Sequence, residues 1–149
     1  KTAVLIRGIR ENERGEIEHL LSKRLRQPYL GKVGRLTGKL RFGETAEEGA
    51  RRELYEETGM TAKNFQLDQI YRKIRKREDG SIVQDVIFYI FVVTGFEGKM
   101  IEKTEYQENF WRTTEEAKKE DIYDDMEFVE SMEKRGLEMI ENVGIAEDF

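Results

Sequence analysis

The chain has 149 residues, of which 38% are hydrophobic and 38% charged, and its formal net charge is −5. This acidic balance argues against nonspecific binding to DNA or RNA, which requires a basic surface, so we expect no stable nucleic-acid partner. The absence of cysteine excludes disulfides, thiolate metal ligands and a cysteine nucleophile, and fits a reducing cytoplasm. The longest apolar run, residues 86–93, is far shorter than the roughly 20 residues of a membrane span. A run of this kind is nevertheless atypical of disordered chains, so we expect a folded protein.

The length is that of one compact domain with its own core, and we expect residues 1–149 to form one. No signal-type hydrophobic stretch follows Lys1. Because the sequence does not begin with methionine, we expect the natural chain to start earlier.

The first third of the chain has the pattern of short strands. Apolar-rich runs predict strands at Thr2–Ile9 and Ile17–Leu25, and the turn residues Asn12 and Gly15 lie between them. A loop over Gln27–Gly34 and a short strand over Arg35–Leu40 follow.

The remainder of the chain alternates helices and strands. The predicted elements are a helix over Thr45–Thr58, strands over Phe65–Arg77 and Ile82–Thr94, a strand near Phe110–Arg112, helical sequence from Glu115, and an amphipathic helix over Met126–Asn142. An Asp-Gly pair between the two longer strands indicates a hairpin. Thr45 is placed as the N-cap of the first helix, in a capping box with Glu48, and Gly59 as its C-cap. This order predicts an α/β domain, an α/β/α sandwich with a mixed sheet between helices.

Three glutamates share one face of the predicted Thr45–Thr58 helix. At about 100° per residue, Glu53, Glu56 and Glu57 fall within one arc, where like charges repel. A solvated acidic face is the ordinary explanation of such a group. However, Glu53 and Glu57 border the apolar stripe, where an ionised carboxylate is costly unless it is paired or binds a metal. Divalent cations such as Mg²⁺ prefer carboxylate oxygens, so this spacing favours a metal site, and Arg52 is placed to hold the Glu56 carboxylate.

The segment from Gly38 to Met60 resembles the Nudix box, Gly-x5-Glu-x7-Arg-Glu-U-x-Glu-Glu-x-Gly-U, in which U is a bulky aliphatic residue. All of the specified positions match: Gly38, Glu44, Arg52, Glu53, Leu54, Glu56, Glu57, Gly59 and Met60. A full match of this length is far more specific than a glycine-rich motif alone. The order of strands and helices around the segment is also similar to that of the Nudix fold.

The resemblance implies a Mg²⁺-dependent hydrolase, with Mn²⁺ as a substitute, that cleaves the diphosphate linkage of a nucleoside diphosphate joined to another group. It implies that Glu53, Glu56 and Glu57 are the main metal ligands, with the backbone carbonyl of Gly38 as a further one. Arg52 would orient these carboxylates during catalysis. Glu44 would brace the loop before the helix or bind a further metal ion.

Further site residues lie outside the helix. The segment around Glu105 and Glu108, ahead of Trp111, is similar to the one in which Nudix enzymes carry a loop carboxylate. Glu105 is therefore a candidate ligand or general base alongside Glu53, and Glu108 a candidate contact to substrate, although loop glutamates are often only solvated. Trp111 is expected to pack in the core. His19, the only histidine, is interpreted as structural, which leaves a glutamate as the base.

The sequence departs from the family at the start of the box. Many members have Pro-Gly-Gly where this chain has Thr37-Gly38-Lys39, which leaves the geometry of that loop open. Lys39 is a candidate phosphate contact, with an exposed, unengaged lysine as the alternative. Subfamilies that act on ADP-ribose or on dinucleoside polyphosphates carry a proline or a tyrosine some fifteen to eighteen residues after the box. The corresponding window, Arg75–Glu78, holds neither, which favours a nucleoside triphosphate or a modified nucleotide.

Three alternatives remain open at this point. The favoured one is hydrolysis of a small-molecule, nucleotide-type substrate. The others are hydrolysis of a non-nucleotide diphosphate and a non-catalytic nucleotide sensor, a use in which the box glutamates tend to be lost. The basic run Arg72–Arg77 is interpreted as a solvated edge strand rather than an RNA contact. Because dimers are common in the family, both a monomer and a homodimer are considered.

Overall fold

The structure, a computed structural model, describes residues 1–124 and 136–146. Its helices and strands are β1 (Thr2–Glu11), β2 (Ile17–Arg24), β3 (Val33–Gly34), β4 (Leu36–Lys39), α1 (Ala46–Thr58), β5 (Thr61–Lys76), β6 (Ile82–Glu97), β7 (Gln107–Thr113), α2 (Thr114–Lys118) and β8 (Glu138–Ile145). Among these residues, no helix is both long enough and apolar enough to span a lipid bilayer.

The strands form one mixed sheet in the order β3-β2-β1-β6-β5-β8, with β4 also paired to β1 and β7 to β2. The β1–β6 and β5–β8 pairs are parallel, whereas the β5–β6 hairpin is antiparallel. The two helices pack on opposite faces. Leu20 of β2 joins the core cluster beneath α1, and the next residue, Leu21, joins the cluster that contains Ala117 of α2. The predicted mixed sheet between helices is therefore confirmed.

Helix α1 begins and ends where the sequence predicts. The Thr45 hydroxyl accepts a hydrogen bond from the Glu48 backbone N–H, and Gly59 adopts φ +72°, which a residue with a side chain rarely adopts. The apolar face of α1 packs through Ala50 and Leu54, both fully buried, on the sheet. This packing fixes the rotation of α1 and thereby the side on which its glutamates lie.

Two expectations about the C-terminal part are corrected. The predicted helix Met126–Asn142 lies outside the described residues over 126–135, and its last five residues, 138–142, belong to strand β8 instead. The reason is that β5 offers an unpaired backbone edge, and β8 pairs with it from Gln69 to Lys76. Consequently the basic run Arg72–Arg77 lies mostly on an interior strand rather than on an edge.

Two side chains expected to be structural are buried or packed. His19 is buried, and its Nε2 lies 2.8 Å from the Thr114 hydroxyl at the start of α2. Burial, followed by the charges of Arg35 and Arg7, lowers the pKa of His19 to about 4, so the ring is neutral at physiological pH. Trp111 packs edge-on against Phe96, with a ring separation of 5.0 Å.

Candidate active site on helix α1 and strand β4

Arg52 is the centre of a hydrogen-bonded group on α1. Its guanidinium binds Glu44 through two bonds of 2.7 and 2.9 Å, and it donates to Glu53 at 2.8 Å and to Glu56 at 3.2 Å. It also donates to the backbone carbonyl of Lys39 at 3.0 Å, which ties α1 to the end of β4. A planar guanidinium with five N–H donors can make this set of bonds, and a lysine cannot.

Glu44 braces the loop that leads into α1. Besides its two bonds to Arg52, it accepts a hydrogen bond from the Arg41 backbone N–H at 3.1 Å. The bonds from Arg52 and then from Arg41 lower the pKa of Glu44 to about 2, so this carboxylate stays ionised. The sequence left two roles open for Glu44, bracing the loop or binding a further metal ion. Both of its carboxylate oxygens already accept hydrogen bonds, which accords with the bracing role.

Glu53 and Glu57 form a close pair of carboxylates. Glu53 is 9% exposed. Burial first, and then the charge of Glu53 and a hydrogen bond to it, raise the pKa of Glu57 to about 8. Two carboxylates in one poorly solvated place cannot both ionise cheaply, so Glu57 retains its proton near neutral pH. This is a local excess of negative charge that a cation would relieve.

Gly38 lies directly against Glu53. A Cβ atom at position 38 would overlap the carboxyl group of Glu53, so this position on β4 leaves no room for a side chain. The close approach brings the backbone of Gly38 beside the carboxylate, as expected if the two act on one ligand. Glu56 is more exposed, at 47% of its side chain, and is held by Arg41 at 3.1 Å as well as by Arg52.

These residues do not enclose a formed metal site. Within residues 1–124 and 136–146, no three His, Asp or Glu side chains are arranged so that they could hold a metal ion. Arg52 and Arg41 occupy oxygens of Glu53 and Glu56, while Glu57 is bonded to Glu53. The structure therefore brings Gly38, Arg52 and the three glutamates together. Arginine side chains and a proton engage the carboxylates.

The two candidates from the β7 region are placed differently from these residues. Glu105 is exposed in the loop before β7, and Glu108 is an exposed residue of β7. Because Gln107 directs its side chain to Glu57, and neighbours on a strand point to opposite faces, Glu108 points away from α1. No contact joins either glutamate to the α1 carboxylates among the described residues.

Two amides of β7 complete the site and were not singled out in the sequence. Gln107 hydrogen-bonds the Glu57 side chain, and its amide also donates to Asn109 at 2.7 Å. The buried Asn109 donates to the backbone carbonyls of Glu57, at 2.9 Å, and Ile101, at 2.8 Å. The sequence signal for them is their position in the segment before Trp111, where the resemblance points to carboxylates rather than amides.

A basic cleft opens beside Gly38 on the face of the sheet opposite α1. Two cavities of about 310 and 760 Å³ share lining residues, among them Lys1, Arg24 and Phe88, and thus form one cleft. Gly38 and Lys39 border the larger cavity. Tyr29 and Tyr123 line the smaller cavity and stack at 4.8 Å with an interplanar angle of 12°.

The charge of the cleft is opposite to that of the chain as a whole. Its cationic side chains are Lys1, Arg24, Arg26, Lys39 and Lys73. Its two carboxylates, Asp85 and Asp124, are each ion-paired to an arginine. Arg24 also acts on Glu57, whose pKa it lowers against the larger opposing effects, so the cleft and the carboxylates are electrostatically connected.

Comparisons with known proteins support the fold described above. The chain is similar in structure to the mutator MutT protein of Bacillus halodurans, with 26% identity and a TM-score of 0.68, over 81% of this chain and 73% of that one. It shares the fold of the Nudix domain of Shewanella oneidensis NrtR, crystallised with ADP ribose, with 14% identity, a TM-score of 0.66, and 81% and 77% coverage. It is also similar to the E. coli ORF135 protein, with 24% identity, a TM-score of 0.56, and 82% and 81% coverage.

The model of the NUDIX domain matches residues 1–131 and so includes the whole box and both sides of the cleft. Together with the Arg52-centred carboxylates at the end of β4, this match shows that the chain belongs to the Nudix hydrolase family.

Proposed function

We propose that this protein is a Mg²⁺-dependent hydrolase that cleaves the diphosphate linkage of a nucleoside diphosphate joined to another group, with a nucleoside triphosphate or a modified nucleotide as substrate. The observation that carries the proposal is the close Glu53–Glu57 pair on α1, with Gly38 packed against Glu53 and also bordering the basic cleft on the opposite face of the sheet. The carboxylates suit a divalent cation that accompanies the substrate, and the basic side chains of the cleft suit its phosphate groups.

The oxygen donors of the site have the chemistry that a divalent cation prefers, and they become available once the arginine contacts and the proton are displaced. Glu57 retains a proton near neutral pH, and a divalent cation would displace it, because metal binding displaces protons from its ligands. Glu53, Glu56 and Glu57, with the Gly38 carbonyl, would hold Mg²⁺ or Mn²⁺, both of which prefer oxygen ligands. Glu56 is half exposed, so it can exchange its arginine contacts for a cation at low cost.

Mg²⁺ held by these residues would supply charge neutralisation at the diphosphate oxygens and a more acidic water as nucleophile. The protein supplies the remaining steps. Arg52 keeps the carboxylates oriented through its bonds to Glu44 and Lys39. A glutamate accepts the proton of the attacking water, and Glu53 and Glu105 are the two candidates. Lys39 and Arg24, on the side of the cleft that borders Gly38, contact the substrate phosphates.

The cleft supports a nucleotide-type substrate. Its smaller part is walled by the stacked pair Tyr29–Tyr123 and by Phe88, which offer flat apolar surfaces to a base. Its larger part, next to Gly38, is rich in cations that suit a polyphosphate. The NrtR domain that shares this fold was crystallised with ADP ribose, which accords with a nucleotide-type ligand.

The test is phosphate release from a panel of nucleoside triphosphates, modified nucleotides, nucleotide sugars and non-nucleotide diphosphates, with Mg²⁺ or Mn²⁺. We expect metal-dependent turnover of one nucleotide class, lost in Glu56→Gln and kept in Glu47→Gln, since the exposed Glu47 pairs only with Arg51 among its described contacts. Turnover of non-nucleotide compounds alone would reassign the substrate. Tight nucleotide binding without turnover would make the protein a sensor.

The candidate bases are separated by Glu53→Gln and Glu105→Gln. Loss of a basic group shows as a change in the pH dependence of kcat/KM, whereas loss of a ligand raises the metal concentration needed for half-maximal rate. We further propose that the protein acts in the cytoplasm, in line with its cysteine-free sequence, and as a homodimer.

A further inference from the structure

Strand β8 exposes an unusual amount of apolar side chain for an edge strand. On the face of the sheet that α1 covers elsewhere, Met139 is 77% exposed, and Val143 and Ile145 are each 60% exposed. Natural proteins protect edge strands with lysine, proline, bulges or a covering segment. The sequence of β8, EMIENVGI, has no lysine and no proline; its charged residues are Glu138 and Glu141, and Glu141 pairs with Arg72. Its apolar surface and its backbone edge therefore call for a partner.

Among residues 1–124 and 136–146, the backbone of β8 has one edge that pairs with β5 and one edge that is unpaired. Ala146 donates its N–H to the carbonyl of Lys76, so in this parallel pair the even-numbered residues of β8 turn their N–H and C=O groups towards β5. By alternation, the same groups of Met139, Glu141, Val143 and Ile145 point outward. The residues that present backbone donors and acceptors are thus the same residues that carry the exposed apolar side chains.

We infer that the occupant of this edge is a second copy of the chain, whose β8 pairs antiparallel with the first across a two-fold axis at Asn142. In this register Met139 lies opposite Ile145 of the second copy, and Glu141 lies opposite its Val143. A two-fold axis normal to the sheet keeps each face on its own side, so directly paired residues must point to the same face. The register at Asn142 satisfies this condition and pairs residues 138–146 along their whole length.

Charge selects this register over the one with its axis at Glu141. An axis at Glu141 would place the two Glu141 side chains directly opposite each other, which destabilises a sheet. With the axis at Asn142, Glu138 faces Ala146 and Glu141 faces Val143, so no like charges are directly opposed. Arg72 lies 3.6 Å from Glu141 and further reduces the negative charge at the centre of the interface.

The pairing would make one continuous sheet through both copies. The strand order β1-β6-β5-β8 of one copy would continue into β8, β5, β6 and β1 of the other, which extends pairing already present. Apolar cross-strand contacts between Met139 and Ile145 would occur twice, once on each side of the axis. The interface is made of identical halves, which is the condition for a closed dimer rather than an open assembly.

Cysteine crosslinking tests the register directly, because the chain has no cysteine of its own. Asn142→Cys places the two thiols at the axis, where the Cα atoms of opposed residues lie about 4.5 Å apart, within the range of a disulfide. Glu138→Cys is the matched control, exposed on the same strand and the same face. Its two copies lie eight residues out of register, roughly 26 Å apart. We expect mild oxidation to crosslink N142C into dimers and to leave E138C monomeric.

The oligomeric state is measured by analytical ultracentrifugation of the full chain over a range of concentrations. We expect a concentration-dependent species of twice the 17.6 kDa chain mass. Val143→Glu puts a carboxylate opposite Glu141 on both sides of the two-fold axis, and Val143→Lys puts an ammonium there. Both substitutions remove the same exposed side chain, yet we expect Val143→Lys to dimerise about tenfold more tightly than Val143→Glu.

Three results would overturn the inference: a wild-type chain that stays monomeric, equal crosslinking of N142C and E138C, or equal dimerisation of the two Val143 variants. The inference does not rest on the hydrolase activity, since none of these readouts involves turnover. Circular dichroism and thermal melting of each variant confirm that β8 substitutions act on association rather than on folding.

Discussion

Replacing Arg52 by lysine tests whether the site depends on a planar, five-donor side chain. In the structure this guanidinium makes two bonds to Glu44 and one each to Glu53, Glu56 and the carbonyl of Lys39. A lysine ammonium keeps the charge but has three donors at a single point. Arg52→Lys therefore removes at least two of the five bonds and cannot keep the bidentate contact to Glu44.

The consequence is a loss of orientation rather than a loss of ligands. Glu53 and Glu56 remain present and ionisable, but the group that sets their direction relative to β4 is weakened. Residues that orient metal ligands in this way typically contribute about 10-fold to 100-fold to metal affinity or activity. We expect Arg52→Lys to raise the Mg²⁺ concentration needed for half-maximal rate, or to lower kcat, by a factor in this range.

Arg51→Lys is the matched control, because it makes the same chemical change one residue earlier on α1. Arg51 contacts Glu47, the carbonyl of Ala62 and the ring of Phe65, none of which belongs to the carboxylate group. The assay is titration of activity with Mg²⁺ for both variants, together with isothermal titration of metal binding. Equal metal dependence of Arg52→Lys and Arg51→Lys would refute the orienting role of Arg52.

Three further predictions concern single positions. Gly38→Ala should displace the Glu53 carboxyl and lower activity more than tenfold, with little change in melting temperature; Gly136→Ala, where a new Cβ meets no atom, serves as its control. His19→Gln should reduce the pH dependence of the free energy of unfolding. The folded-state pKa of about 4 lies below the unfolded value, so the unfolded chain binds more protons as the pH falls. The wild type should therefore lose about 2 kcal/mol of unfolding free energy between pH 7 and pH 5, measured by urea unfolding. Asn109→Leu should lower the free energy of unfolding, measured with urea, by about 2 kcal/mol or more, because two buried backbone carbonyls lose their hydrogen-bond donor. Activity should fall as well. An unchanged free energy of unfolding would contradict this bonding role.

Helix α1 was predictable because its signals are local. Thr45, Gly59 and the apolar stripe through Ala50 and Leu54 lie within fifteen residues, and each indicates the same helix. The spacing of the glutamates then placed them on one side of that helix. What the spacing did not show is how they are held, since the fork of Arg52 to Glu44 depends on the path of the loop before α1.

The cleft was not predictable from the sequence alone. Arg24, Tyr29 and Tyr123 belong to segments far apart in the chain, and nothing local to any of them indicates that they meet. The same applies to Gln107, whose role depends on β7 lying beside the end of α1. Residues brought together by the sheet carry no periodic signal of their own.

The β8 strand shows why periodicity misled at the C-terminal end. Leu137 and Ile140 have helical spacing, but residues 138–145 also alternate sufficiently to pair as a strand. The deciding factor is the long hairpin of β5 and β6, which extends past the end of α1 and leaves the outer edge of β5 to be covered. Such tertiary pairing overrides a marginal local preference.

The parallel β5–β8 pair also has a consequence for biosynthesis. The two strands are joined by more than sixty residues, so during translation the hairpin of β5 and β6 is complete long before β8 leaves the ribosome. Until then the outer edge of β5 is open in the nascent chain, with its basic run from Arg72 to Lys76 exposed. Charged side chains on an open edge disfavour its pairing with another chain, and β8 later brings Glu141 to Arg72 as it closes the edge.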